Sequence, residues 1–119
     1  MTALRQRMPR TENEPHRRFV ASLPCLICGG RDVQACHVRY ADLSIAKPFT
    51  GRTKPDDKYT VPMCCSHHLA QHDCPHGERW WWFYHEIDPI KVALALFAVS
   101  GDIARGELIV SSCREQRAA

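Results

Sequence analysis

Leu23-Pro24-Cys25-Leu26-Ile27-Cys28-Gly29-Gly30 and Val61-Pro62-Met63-Cys64-Cys65-Ser66-His67-His68-Leu69-Ala70-Gln71-His72 are the two stretches whose reading decides the fold. In the first, a Cys-x-x-Cys runs into glycine. That pattern sets two thiolates across a tight turn whose left-handed backbone glycine tolerates. In the second, Cys64 and His67 form a Cys-x-x-His pair where a short apolar strand candidate gives way to a helix. Four soft or borderline donors in two short-spaced pairs suit a tetrahedral Zn²⁺. Free core cysteines or a redox pair are the alternatives. Cys65 and His68 have the same formal spacing, although adjacent cysteines rarely serve one ion well. A domain this small gains much of its folding free energy from such an ion.

The chain has 119 residues, the size of a single domain, and 45% of them are hydrophobic, enough for a small packed core. No stretch approaches the ~18 apolar residues that span a bilayer. No apolar run follows the basic N-terminal residues as it would in a signal peptide. A soluble protein of the cytoplasm is therefore expected, and in that compartment seven cysteines, an odd number, point to metal ligation rather than disulfides. Sixteen basic residues against 13 acidic ones give a net charge of +3. Arg5, Arg7, Arg10, Arg17 and Arg18 stand against Glu12 and Glu14, so the excess sits entirely in residues 1–18. Such an arm, without periodicity, reads as flexible and able to track phosphates, or as a merely solvated tail.

Working outward from the cysteines, Val33 to Tyr40 alternates like a strand, with Val33, Ala35 and His37 on one face. Tyr59 to Met63 is a second short strand. Residues 41–58 between them are rich in Pro, Gly, Lys and Asp, which predicts an exposed basic loop. Ser66 to His72 suits a short helix that Pro75 and Gly77 stop. Glu78 to Glu86 predicts another. Its Trp80, Trp81 and Trp82 cannot share one face, so core packing is expected over a base-stacking surface. Asp88-Pro89 is an N-cap followed by an N1 proline, opening a third helix from Ile90 to about Ser100, ended by Gly101. That helix is apolar nearly all round apart from Lys91, which predicts deep burial or a subunit contact. The expected fold class is α+β: a basic arm over 1–18, a small zinc-stapled domain over 19–101 with additional C-terminal helices, and a weakly helical tail over 102–119.

Zinc would use only part of the histidine inventory. His68 and His72, at i and i+4, share a helix face within reach of a single cation, unless that face is simply solvated. Cys74 and His76 flank the helix end and read as exposed loop residues, with a further metal ligand as the alternative. A knuckle paired with a strand-to-helix junction is the arrangement of a treble clef. Taken in order, Leu-Pro-Cys-Leu-Ile-Cys-Gly (23–29), Cys-His-Val-Arg-Tyr-Ala (36–41), Lys-Pro-Asp-Asp (54–57), Val-Pro-Met-Cys (61–64), His67-His68, His72, Gly77-Glu78 and Ile87-Asp88-Pro89 resemble the HNH, or ββα-metal, endonucleases. The nearest likeness is to phage-borne nucleases related to the recombination enhancement function nuclease. It covers Phe19 to Ser100, and the combined motifs are far more specific than either the cysteines or the histidines alone.

The resemblance implies that His37 activates water and that His68 and His72 hold a catalytic divalent ion, Mg²⁺ or Mn²⁺ with Zn²⁺ as a further candidate. Two positions depart from the family. Cys36 stands where many HNH enzymes carry an Asp or His metal ligand, and it suits Mg²⁺ poorly. The central Asn that orients the base has no clear counterpart. Asp57 and Tyr59 are nearest, and Asp57 accepting the Nδ1 proton would fix the tautomer of His37. Arg39, two residues along the strand from His37, is expected on the same face as a phosphate clamp. Lys47, Arg52, Lys54 and Lys58 of the basic loop, with the arm, would bind DNA backbone. The implied partners are DNA and a recombinase filament on it, in a bacterial or phage setting. The rival from another class is a zinc-stabilised nucleic-acid or protein-binding module without catalysis, which has no use for His37, His68 and His72. A thiol redox protein would want a βαβ pattern that is not found.

Overall fold

Asn13 begins the first helix: its side-chain oxygen accepts the His16 amide at 3.0 Å, and Pro15 in the first turn is pre-set for helical φ. The computed structural model describes residues 12–40, 42 and 56–118. Within them the architecture is α+β. Its elements are α1 (Glu14–Ala21), β1 (Val33–His37), β2 (Thr60–Cys64), α2 (Cys65–His72), α3 (Glu78–Tyr84), α4 (Pro89–Ala98) and α5 (Ile103–Ala118). Lys47, Arg52 and Lys54 lie outside the described residues, as do residues 1–11 of the expected arm.

The sheet formed by the described residues is the antiparallel pair β1–β2, in register from Val33 opposite Cys64 to His37 opposite Thr60. Val38 donates to the Tyr59 carbonyl at 2.8 Å and Leu26 to that of Pro62 at 2.9 Å, so the knuckle is stitched to the outer side of β2. Thr60, Val61, Pro62 and Met63 are all buried. A strand buried on both faces shows no polar alternation, and here α1 and α4 pack on β2 along with α2. The core joins Phe19, Val20 and Leu23 at the start of the fold to Val61 and Met63 of β2, Trp82 of α3, Leu96 of α4 and Val110 of α5.

Four expectations change. The basic segment is not all arm, because α1 starts at Glu14 and buries His16, Phe19 and Val20. An i, i+3, i+4 apolar face hidden among arginines supplies the reason. The expected strand ends at His37, so alternation does not carry over to Arg39; its backbone N–H instead donates to the Glu78 carboxylate at 3.2 Å. Residues 103–118 form α5 where a weakly helical tail was expected. Asp102 caps α5 by accepting the Arg105 amide at 3.2 Å, and Gly106 lies so close to α1 that an added Cβ would sit 2.8 Å from the Phe19 ring and 2.9 Å from Leu23. Glycine is a poor helix former, so local propensity speaks against this helix and packing overrides it. Of the tryptophans, Trp81 and Trp82 are buried as expected, whereas Trp80 is 43% exposed and stacks on Tyr84. Among the described residues no helix is long and apolar enough to cross a membrane.

Gly106→Ala should destabilise the protein by about 1–3 kcal/mol by overpacking, despite alanine's better helix propensity. A denaturant midpoint that holds or rises would show that α5 does not dock this tightly. A second expectation concerns pH. His16 is fully buried with Nδ1 2.7 Å from Ser100 Oγ, and burial lowers its pKa from the usual 6.5 against the opposing pull of the Asp57 charge. As pH falls below ~6.5, the unfolded chain takes up a proton that the native His16 refuses. Stability should therefore decline until the depressed native pKa is passed. His16→Gln, measured with zinc in excess, should show a shallower loss; an equal slope would mean that His16 is charged in the native state.

Candidate metal centre and histidine cluster

The turn from Cys25 to Gly30 is closed by Cys25 N–H to the Gly30 carbonyl (2.8 Å) and Gly29 N–H to the Cys25 carbonyl (2.9 Å), with Gly29 at φ +76°. Across it, β2 delivers Cys64 and the first turn of α2 delivers His67. The donor atoms of Cys25, Cys28, Cys64 and His67 lie within 4.8 Å of one another. Cys28 Sγ is 3.8 Å from Cys64 Sγ, Cys25 Sγ is 3.9 Å from His67 Nδ1, and Cys64 Sγ is 3.1 Å from the same nitrogen. Tetrahedral thiolate bonds of ~2.3 Å place neighbouring sulfurs ~3.8 Å apart, so the cluster could hold a metal such as zinc. The surrounding amides suit thiolates too: Ile27 N–H points at Cys25 Sγ and Gly30 N–H at Cys28 Sγ, each at 3.4 Å. Burial works to raise the Cys25 pKa, but amides of Cys64, Cys28 and Ile27 outweigh it and lower that thiol. Cys65, the formal competitor, is exposed and outside the cluster.

Helix α5 secures the knuckle from outside. The Arg114 guanidinium lies over Gly29, 2.7 Å from where a Cβ would be, and donates to the Cys28 carbonyl at 3.5 Å. Arg31 pairs with Glu107 at 3.0 Å.

His37 ends β1 with its side chain 8% exposed, and its Nε2 is 2.9 Å from Oδ1 of the wholly buried Asp57. The expected partner is there, but through the other nitrogen. With Nε2–H donated to the carboxylate, the neutral ring carries its lone pair on Nδ1. The turn holding Asp57 is braced by Thr60 Oγ1, which donates to the Asp57 carbonyl at 2.8 Å. Cys36 points the other way, into the core, with Sγ 3.9 Å from Gln71 Oε1. Burial pushes its thiol up to about 12, which removes it as a ligand for a hard cation.

His68 and His72 face each other one helical turn apart, Nε2 to Nε2 at 3.1 Å. Gln34, which no sequence signal singled out, sets the geometry. Its amide oxygen lies 2.7 Å from His68 Nδ1, so that nitrogen carries the proton and Nε2 is the lone-pair side facing His72. The His68 pKa is lowered, first by burial and then by His72, Arg39 and His37, which places these basic groups in one region. Among the described residues no third Cys, His, Asp or Glu joins His68 and His72 in a common cluster. Lys58 is half-buried with its ammonium over the Tyr59 ring at 5.2 Å, and the Arg39 backbone is anchored by Glu78, which also accepts from Trp82 Nε1 at 3.3 Å. Cys74 is half-buried; His76 is exposed and lies against Trp80. Comparison with protein-family models, curated proteins and solved structures gives no match to this chain.

Purified protein should contain a single tightly held metal ion, and Cys64→Ser should lose both the ion and most of the thermal stability, because metal binding and folding are one equilibrium in a domain this small. A metal-free protein with an unchanged melting curve would overturn this.

Proposed function

We propose that this chain is a metal-dependent endonuclease of the HNH type that hydrolyses phosphodiester bonds in DNA, with a treble-clef core stapled by structural zinc on Cys25, Cys28, Cys64 and His67. The observation that carries the reading is the His37–Asp57 contact of 2.9 Å on the hairpin whose other strand leads into the helix bearing His68 and His72. A carboxylate on one ring nitrogen orients the ring and stabilises the imidazolium that forms when the other accepts a proton. In the proposed step His37 Nδ1 takes the proton of a water as its oxygen attacks phosphorus and the bond to the leaving oxygen breaks. A divalent ion on His68 and His72, completed by waters and phosphate oxygen, would supply Lewis-acid stabilisation of the developing charge. Arg39 is the nearby cation suited to a phosphate, and Lys58, with Lys47, Arg52, Lys54 and the arginines of residues 1–11, belongs to the proposed DNA-binding surface. DNA alone, or DNA carrying a recombinase filament, is the proposed partner, in a bacterial or phage-infected cytoplasm.

One observation favours a second reading, a metal-stabilised nucleic-acid-binding module: among the described residues no third Cys, His, Asp or Glu clusters with His68 and His72. Plasmid nicking with Mg²⁺ or Mn²⁺, with and without recombinase-coated DNA, separates the two. His37→Ala should lower nicking by ~10²–10⁴ while leaving metal content and DNA affinity intact. His68→Ala should also fail, but recover partly at high Mn²⁺, because a weakened site refills by mass action. Parent protein that binds DNA and never nicks it would support the binding module.

A further inference from the structure

Asp57 is buried completely, yet its second oxygen is held by residues 40 and 44 positions earlier in the chain. The Asn13 backbone N–H donates to Oδ2 at 2.7 Å, and Arg17 Nε donates to the same oxygen at 2.9 Å. Oδ1 is thereby left to face His37 Nε2 at 2.9 Å. Asn13 is also the N-cap of α1, so the turn that starts this helix and the clamp on Asp57 form together. A buried carboxylate deprived of its cation is costly, and it relieves the cost by taking a proton or turning toward water. A neutral carboxyl could donate to Nε2 and move the ring proton to Nδ1, the nitrogen that the hydrolytic step needs unprotonated.

We propose that Arg17 is a positioning residue for His37: by holding Oδ2 of an ionised Asp57 it fixes the carboxylate that fixes the ring. The inference rests on the nuclease reading insofar as His37 is its base, and it makes α1 part of the active site rather than part of a DNA-tracking arm. Arginine suits the role because its charge persists when it is half-buried beside a carboxylate.

The experiment compares Arg17→Gln, which keeps a donor and loses the charge, with Arg17→Lys, which keeps the charge, each made in the parent and in His37→Ala. Arg17→Gln should lower kcat for nicking about tenfold or more with KM for DNA unchanged, the scale seen when a group supporting a functional histidine is lost. Arg17→Lys should recover most of that loss. In the His37→Ala background neither change should matter further, because Arg17 acts through His37. Imidazole ¹⁵N shifts provide a readout independent of cleavage: His37 should be protonated on Nε2 in the parent and a mixture of tautomers in Arg17→Gln. Parent protein that never nicks would defeat the nuclease reading and leave the clamp to be judged by the ¹⁵N shifts. Unchanged kcat and shifts in Arg17→Gln, a raised KM alone, or an equal loss in the His37→Ala background would overturn the clamp.

Discussion

Cys25, Cys28, Cys64 and His67 meet with every donor atom within 4.8 Å of the others, and this meeting joins the knuckle to the point where β2 becomes α2. Much of the remaining geometry follows from it. Because His67 is a donor, the next residue, His68, is committed to the first turn of α2, and His72 must lie one turn further along the same face. The knuckle donates Leu26 N–H to Pro62, so the outer side of β2 is covered, and Thr60 to Met63 are buried. The arrangement is reinforced from a distance by Arg114 over Gly29, a position where a side chain would collide and where φ is positive. A chain with so small a core depends on such cross-links.

Asp57 is the second node, and it serves fold and site together. Its carbonyl receives Thr60 Oγ1 at the start of β2, one carboxylate oxygen faces His37, and the other receives Asn13 and Arg17 of the first helix. A charge buried this deeply has to be met on all sides. Meeting it draws α1 onto the end of the hairpin where His37 pairs with Thr60, and His16 packs between Phe19 and Phe97. The candidate base is thus held by the same contacts that seat the helix.

The sequence by itself determined the features that depend on neighbours a few residues apart. The Cys-x-x-Cys and Cys-x-x-His pairs, the His68/His72 face, the Asp88 cap with Pro89, and the strand leading to His37 all act over one turn or one pleat, and the order of residues displays them. Asp57 as the partner of His37 was legible through a family likeness, though the nitrogen it meets was not. Only the tertiary structure decided that Gly106 permits α5 to press on Phe19 and Leu23, that Gln34 orients His68, and that Arg17 holds Asp57. These contacts join residues 34 to 87 positions apart, as in Gln34 to His68 and Gly106 to Phe19. No local pattern encodes such a pairing. It arises when burial brings distant segments together and a buried charge, or the absence of a side chain, selects which of them can meet.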